Sequence, residues 1–99
     1  MKHKQTERNH AKEYIQRMYD KTKDNRVDTL LECLDKTGTI LVMATMNDKQ
    51  VMVNKARNLN RTVPVITLQE LAKAGDALRG KRFAICDLDS MNLVYINIA

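Results

Sequence analysis

Aromatic residues, histidine, cysteine, glycine and proline are all scarce in this chain, and the scarcity of the first three argues against several classes of function. Among its 99 residues there are no tryptophans, one phenylalanine, three tyrosines, two histidines, two cysteines, three glycines and one proline. So few aromatic side chains argue against recognition of single-stranded nucleic acid by base stacking. A serine or cysteine nucleophile needs a histidine base, and His3 and His10 lie in a charged arm without an obvious partner.

The two cysteines predict neither a disulfide nor a zinc site. Cys33 and Cys86 each lie within an apolar pattern, where a small buried thiol is the usual explanation. Neither has a CxxC neighbour and both histidines are remote in the sequence, so the spacing of zinc ligands is absent. We therefore expect two buried free thiols and no metal or other cofactor.

Long apolar runs are also absent. The longest stretches, TILVMAT and LVYINIA, are far shorter than the roughly 20 residues that cross a bilayer, and the N-terminus has no apolar signal core. We expect a soluble, cytoplasmic protein that does not contact a membrane.

Positive charge is concentrated at the N-terminus. Residues 1–26 contain eight Lys or Arg and four Asp or Glu, a net charge of +4, whereas the other 73 residues contain nine and eight. This arm could bind phosphates or an acidic partner. The other interpretation is a solvated helix face that keeps the protein soluble.

Hydrophobic periodicity predicts one domain over residues 1–99, with a basic helical arm at 1–24 and an α/β core at 25–99. A narrow apolar stripe predicts an amphipathic helix from Thr6 to about Lys21. A second helix is expected from Asn25 to Lys36, with Gly38 as its stop. Its apolar positions repeat at helical spacing: Val27, Leu30, Leu31 and Leu34.

Four stretches beyond Gly38 have the pattern of strands: TILVMAT, TVPVIT, RFAICDL and LVYINIA. MNDKQVMVNKARNLNR between the first two predicts a helix capped by Asn47 or Asp48, with Val51, Met52, Ala56 and Leu59 facing inward. Pro64 suits the start or edge of the second strand. Thr67 and Glu70 match a capping box and predict a short helix that ends at Gly75.

This order predicts two N-terminal helices followed by a small, three- or four-stranded, mainly parallel sheet with flanking helices, in a Rossmann-like arrangement. The fourth strand follows the third too closely for a parallel crossover, so we expect it to pair antiparallel or to lie on another edge.

The third strand ends in an acidic pair, Asp87 and Asp89. A carboxylate at a strand end can hold magnesium in nucleotide hydrolases. It can also mark an exposed binding edge, or only the point where the chain enters water. A phosphate-binding loop should accompany a catalytic aspartate, and Gly75 to Lys81 does satisfy GxxxxGK. However, Arg82 follows it in place of Ser or Thr, and the stretch follows a helix and precedes a strand, so we interpret it as a turn.

The order ILVMAT, NDKQVMVNKAR, VPVITLQEL and LRGKRFAICDLD resembles the middle of a P-loop NTPase core of the helicase or terminase type, over roughly residues 39–89. Two departures stand out. The chain has no earlier strand with a glycine-rich Walker A loop, and Leu88 follows Asp87 where that family usually has a glutamate that polarises water. The resemblance therefore implies an incomplete P-loop-like scaffold without hydrolytic machinery.

Two binding surfaces can be predicted. Tyr14, Met18 and Tyr19 lie on or beside the apolar stripe of the first helix and are residue types enriched at protein interfaces. The chain also has six methionines and an apolar C-terminal strand that could pair with a partner. For nucleic acid, the basic arm would act together with a patch on and after the third helix, formed by Lys49, Lys55, Arg57 and Arg61.

Our hypothesis from the sequence is a non-catalytic protein that docks on a larger protein and modulates it, with self-association as a further possibility. The resemblance to an incomplete nucleotide-hydrolase core makes a phage or mobile-element product that acts on host machinery a plausible origin, an association that no single residue carries. The alternative hypothesis is a nucleic-acid-binding accessory protein that uses the arm and the basic patch. A third class, a minimal nucleotide-binding enzyme, would require magnesium-dependent nucleotide binding through Asp87.

Overall fold

The computed structural model describes residues 12, 13, 16, 20 and 23–97. The described positions before Asp24 are helical, and the Gln16 side-chain amide donates a 3.0 Å hydrogen bond to the Asp20 carboxylate one turn later. The other positions of the first predicted helix lie outside the described residues.

The first helix of the core, α1, runs over Asn25–Thr37. Asp24 caps it, since its carboxylate accepts a 2.8 Å hydrogen bond from the backbone N–H of Arg26. Gly38 ends it in the left-handed conformation (φ 68°), from which its N–H reaches the Leu34 carbonyl at 2.9 Å. Glycine adopts this conformation without a Cβ penalty. The predicted helix and its stop are therefore confirmed, as is its buried face of Val27, Leu30, Leu31 and Leu34.

The chain then alternates between strands and helices. The elements are β1 (Ile40–Met43), α2 (Met46–Asn58), β2 (Val65–Thr67), α3 (Leu68–Ala74), a 3-10 helix (Gly75–Leu78), β3 (Arg82–Asp87) and β4 (Asn92–Asn97). The sheet order is β2-β1-β3-β4, with β1 parallel to both β2 and β3 and with β4 antiparallel to β3. The prediction of a three- or four-stranded, mainly parallel sheet is confirmed, with four strands. Strand β4 is antiparallel to β3 because only four residues join them, too few for a crossover.

Two predicted boundaries are wrong. The cap of α2 is Thr45 instead of Asn47 or Asp48, since the Thr45 hydroxyl accepts a 3.1 Å hydrogen bond from the Asp48 N–H. The helix starts earlier because the chain turns directly after β1. The second strand begins at Val65 instead of Thr62: Pro64 has no N–H to donate, although its carbonyl still accepts from Leu41 N at 2.9 Å.

Most of the core lies between one face of the sheet and the helices α1 and α2. Side chains alternate between the faces of a strand. Leu41, Met43, Val65, Ala84 and Cys86 belong to one buried cluster with the apolar residues of α1 and with Met52 and Ala56 of α2. Val51 of α2 and Leu59, the residue directly after this helix, pack against the cluster and are half-buried, so the predicted inward-facing side chains are confirmed.

The second face of the sheet carries Val42 and Phe83, which are fully buried and lie outside the first cluster. The connection β1–α2–β2 runs in one direction along the sheet and β2–α3–β3 runs back. Because crossovers between parallel strands are right-handed in nearly all proteins, we expect α2 and α3 to lie on opposite faces. Cys33, predicted to be buried, is exposed. Cys86 is buried as predicted, and both thiols are free. No helix in the described residues is long and apolar enough to span a membrane.

Candidate functional site

The acidic pair at the end of β3 holds the turn that leads into β4. The Asp87 carboxylate accepts hydrogen bonds from the backbone N–H of Asp89 at 3.1 Å and from the Ser90 hydroxyl at 3.0 Å. Met91 completes the turn with φ 58° and an N–H 2.7 Å from the Asp87 carbonyl. The carboxylate of Asp87 thus has a structural task on the surface, and Asp89 lies exposed beside it.

No metal centre is apparent in the part of the chain that the structure describes. There, no three side chains of His, Cys, Asp or Glu lie close enough together to hold an ion. Cys86, the nearest soft ligand to Asp87, is buried. Its pKa is raised to about 11 by that burial, with smaller contributions from the negative charges of Asp87 and Asp48. The thiol is therefore protonated at neutral pH and is a poor nucleophile.

The GxxxxGK stretch has none of the geometry of a phosphate-binding loop. Gly75 to Leu78 form the 3-10 helix directly after α3, and the chain turns at Arg79 and Gly80 before it enters β3. A phosphate-binding loop must instead follow a strand and present the amides of a helix N-terminus. The prediction that this stretch is a turn region between a helix and a strand is confirmed.

The predicted basic patch is divided among several ion pairs. The Nζ of Lys49 lies 2.8 Å from the Oε1 of Glu70 in α3, and the Nζ of Lys55 lies 3.0 Å from the Oδ1 of Asp28 in α1. The Glu70 carboxylate accepts a hydrogen bond from Lys49 and another from the Thr67 backbone N–H. These two bonds, of which the one from Lys49 has the larger effect, lower the pKa of Glu70 below its ordinary value. The charges of both lysines are thereby offset by carboxylates, and each links α2 to a different neighbouring helix.

The other two residues of the patch lie near the start of β2. The guanidinium nitrogens of Arg61 are 3.8 Å from Glu32 and 3.9 Å from Asp35, both on α1. Arg57 is exposed near the end of α2. Lys49, Lys55, Arg57 and Arg61 therefore do not form one continuous surface of uncompensated charge. Binding of nucleic acid by them stays a prediction.

Tyr14, Met18 and Tyr19, predicted to bind a partner protein, lie outside the described residues, as do His3 and His10. Of the predicted C-terminal strand, residues 93–97 lie within them, and Ile98 and Ala99 lie outside.

Strand β4 forms one edge of the sheet. It has six residues, NLVYIN, without a charge or a proline, and its only strand neighbour in the described chain is β3. An edge strand has a row of backbone N–H and C=O groups on its outer side that can pair with another extended chain. Along this edge the side chains of Val94 and Tyr95 are 58% and 45% exposed.

The two exposed side chains lie on opposite faces of the sheet. Val94 is paired with Ile85, and Tyr95 is paired with Ala84. The guanidinium of Arg82 lies over the Tyr95 ring, 4.6 Å from its centroid, an arrangement in which the cation is attracted to the ring face. A strand that paired with β4 would therefore meet an aliphatic side chain on one face and an aromatic side chain, covered by an arginine, on the other.

Sequence reasoning identified the last strand as a possible edge but did not single out Val94 and Tyr95. The available signal was an apolar strand without charge, one member of which, Tyr95, is an interface-prone residue type. The missing information was the strand order, since the outward-facing side of β4 depends on its pairing with β3.

Comparison with protein-family models, with curated proteins and with solved structures finds no significant match to this chain. The resemblance to a P-loop NTPase core accordingly stays a prediction.

Proposed function

We propose that this protein is a non-catalytic binding protein that docks on a larger protein and modulates it, and that β4 is the docking element. The observation that carries the proposal is the uncharged, six-residue outer edge of β4, with Val94 and Tyr95 exposed beside it. In this mode a partner contributes an extended segment that continues the sheet. Main-chain hydrogen bonds then provide affinity and alternate side chains provide specificity.

The surroundings of β4 favour a specific contact over simple solvation. Leu93 and Ile96 are half-buried, and Leu93 packs against the main core cluster. These contacts hold β4 in place on the core. Cross-strand pairs of aromatic and β-branched side chains stabilise a sheet by about 0.2–1 kcal/mol each. Val94 and Tyr95 can each form one such pair with an incoming strand.

The same reasoning supports a scaffold role for the rest of the molecule. We infer that β1, β2 and β3 with α2 and α3 form an incomplete, Rossmann-like and P-loop-like core, because strands and helices alternate and the crossovers cover both faces. Asp87 is engaged in the β3–β4 turn, and the GxxxxGK stretch is a 3-10 helix and a turn. These features favour a structural over a hydrolytic task for both segments.

The test compares wild-type protein with the Val94→Lys variant in an affinity pull-down from native host extract, treated with nuclease. A charge on an edge strand opposes strand addition, so we expect the variant to lose at least nine-tenths of the captured partner. Met46→Lys is the matched control, because Met46 is 60% exposed at the start of α2. It should capture as much partner as wild type.

Two results would count against β4 as the docking element. One is equal capture by wild type and Val94→Lys, which would move the contact elsewhere on the molecule. The other is capture that nuclease treatment abolishes, accompanied by binding to arbitrary DNA or RNA that weakens steeply with added salt. That result would favour the nucleic-acid alternative.

A further inference from the structure

An open groove of about 490 Å³ lies between the C-terminal half of α2 and the segment that leads into β2. Its size is within the range of roughly 300–1,000 Å³ that is common for small-molecule sites. Four of its lining residues are apolar: Val53, Ala56, Val63 and Pro64. Val53 and Val63 also pack against the main core cluster, so this side of the groove is held in place by the fold.

The polar side of the groove carries two arginines. Arg57 and Arg61 both line it, together with Thr62. Arg57 is exposed, and within the described chain its guanidinium has no ion pair or hydrogen bond. Its positive charge is therefore available to a ligand.

Arg61 is only loosely paired. Its nitrogens are 3.8 and 3.9 Å from the carboxylates of Glu32 and Asp35, which is beyond the usual hydrogen-bond distance. Asp35 instead accepts a 3.1 Å hydrogen bond from the backbone N–H of Thr62. The two carboxylates partly offset the charge of Arg61, so Arg57 has the less compensated positive charge of the two.

We propose that this groove binds a small organic anion, with one carboxylate or phosphate group at Arg57 and Arg61 and an apolar body against Val63 and Pro64. The planar fork of a guanidinium matches both kinds of anionic group. The carboxylates of Glu32 and Asp35 would repel a highly charged polyphosphate, which restricts the ligand to a single anionic group. This site is independent of the docking edge at β4.

The proposal can be tested by following backbone amide signals of the full chain during NMR titrations. Phenyl phosphate and benzoate represent the two anionic groups, inorganic phosphate lacks the apolar body, and benzyl alcohol lacks the charge. We expect shifts at Thr62 and Val63, and an affinity for phenyl phosphate or benzoate at least tenfold above that for inorganic phosphate or benzyl alcohol. Whichever of the two anions binds more tightly identifies the anionic group.

Arg57→Gln should weaken binding at least fivefold while the spectrum stays that of a folded protein. Arg79→Gln is the matched control, because Arg79 is an exposed arginine on a different surface, paired with Asp76. It should bind as wild type does, and so should Val94→Lys.

Equal affinities for phenyl phosphate and inorganic phosphate would overturn the proposal, because they would mean attraction by charge alone. Unchanged binding in Arg57→Gln would overturn it as well. Arg57-dependent binding of a single-stranded oligonucleotide, without binding of phenyl phosphate or benzoate, would replace it with the nucleic-acid alternative.

Discussion

The two edges of the sheet are built in opposite ways. Strand β2 has three residues, follows Pro64, and runs directly into α3, and the N–H of its last residue, Thr67, is bonded to the Glu70 carboxylate at 3.1 Å. Strand β4 has six residues and none of these devices. Proteins commonly protect sheet edges with short strands, proline or charge. An edge without such protection is either a liability or a binding surface.

The side chains of β2 are also more buried than those of β4. Val65 and Thr67 of β2 are buried, so two of its three side chains contribute to packing. Four of the six residues of β4 are exposed, and they include Val94 and Tyr95. The comparison indicates that β2 completes the fold, while half or more of β4 is available for another molecule.

The largest predicted effect is on the free energy of unfolding, and it distinguishes the inner strand β3 from the open edge strand β4. Phe83→Ala on β3 removes a fully buried ring, and we expect it to lower the free energy of unfolding by about 3–5 kcal/mol. Val94→Ala should change it by less than about 0.5 kcal/mol, because that side chain is mostly exposed. Urea denaturation followed by circular dichroism measures both. Similar losses for the two variants would mean that Val94 is needed for folding.

A smaller effect is expected at the protected edge. Thr67→Val keeps the shape of the buried side chain but removes the hydroxyl that accepts from Glu70 N at 3.1 Å. We expect a loss of about 1 kcal/mol, as for other helix caps, whereas Thr67→Ser should lose less because it keeps the hydroxyl. Chemical denaturation of both variants tests this order, and the reverse order would show that the cap contributes little.

The smallest effect concerns the ion pair beside that cap. Lys49 lowers the pKa of Glu70, so the pair stabilises the fold at neutral pH, and its contribution disappears as the pH falls through the folded-state pKa. Lys49→Met should raise the pKa of Glu70 towards its ordinary value, as measured by NMR titration of the side-chain carboxyl. The pKa of Asp24, which is lowered by a hydrogen bond from Arg26, serves as the internal control and should not move. An unchanged pKa for Glu70 would contradict the observed pairing.

Much of this fold could be predicted from local patterns. The apolar spacing of α1, its stop at Gly38 and the capping box at Thr67 depend on residues within one or two turns of each other, so the sequence contains the necessary information. The length of a single loop excluded parallel pairing of β4 with β3, although it left open whether β4 pairs antiparallel or lies on another edge. Even the wrong prediction for Cys33 was avoidable, because at 3.6 residues per turn it lies more than a quarter turn from the centre of the buried stripe of α1.

The candidate sites could be predicted less well, because they depend on contacts between distant residues. Lys55 pairs with Asp28 and Lys49 with Glu70, each on a different helix from its partner, and no local pattern predicts these partners. The groove beside Arg57 and the outward edge of β4 likewise depend on how strands and helices are ordered in space. A cluster of basic residues along the sequence was therefore a poor guide to the charged surface.

Amide hydrogen exchange along β4, measured by NMR on dilute protein, tests the central claim most directly. In an edge strand, every second amide is bonded to the neighbouring strand and the others point to solvent. We predict that protected and rapidly exchanging amides alternate from Asn92 to Asn97. Protection of every amide in that stretch would show that the outer edge is already covered, and would contradict the account of β4 as an open docking edge.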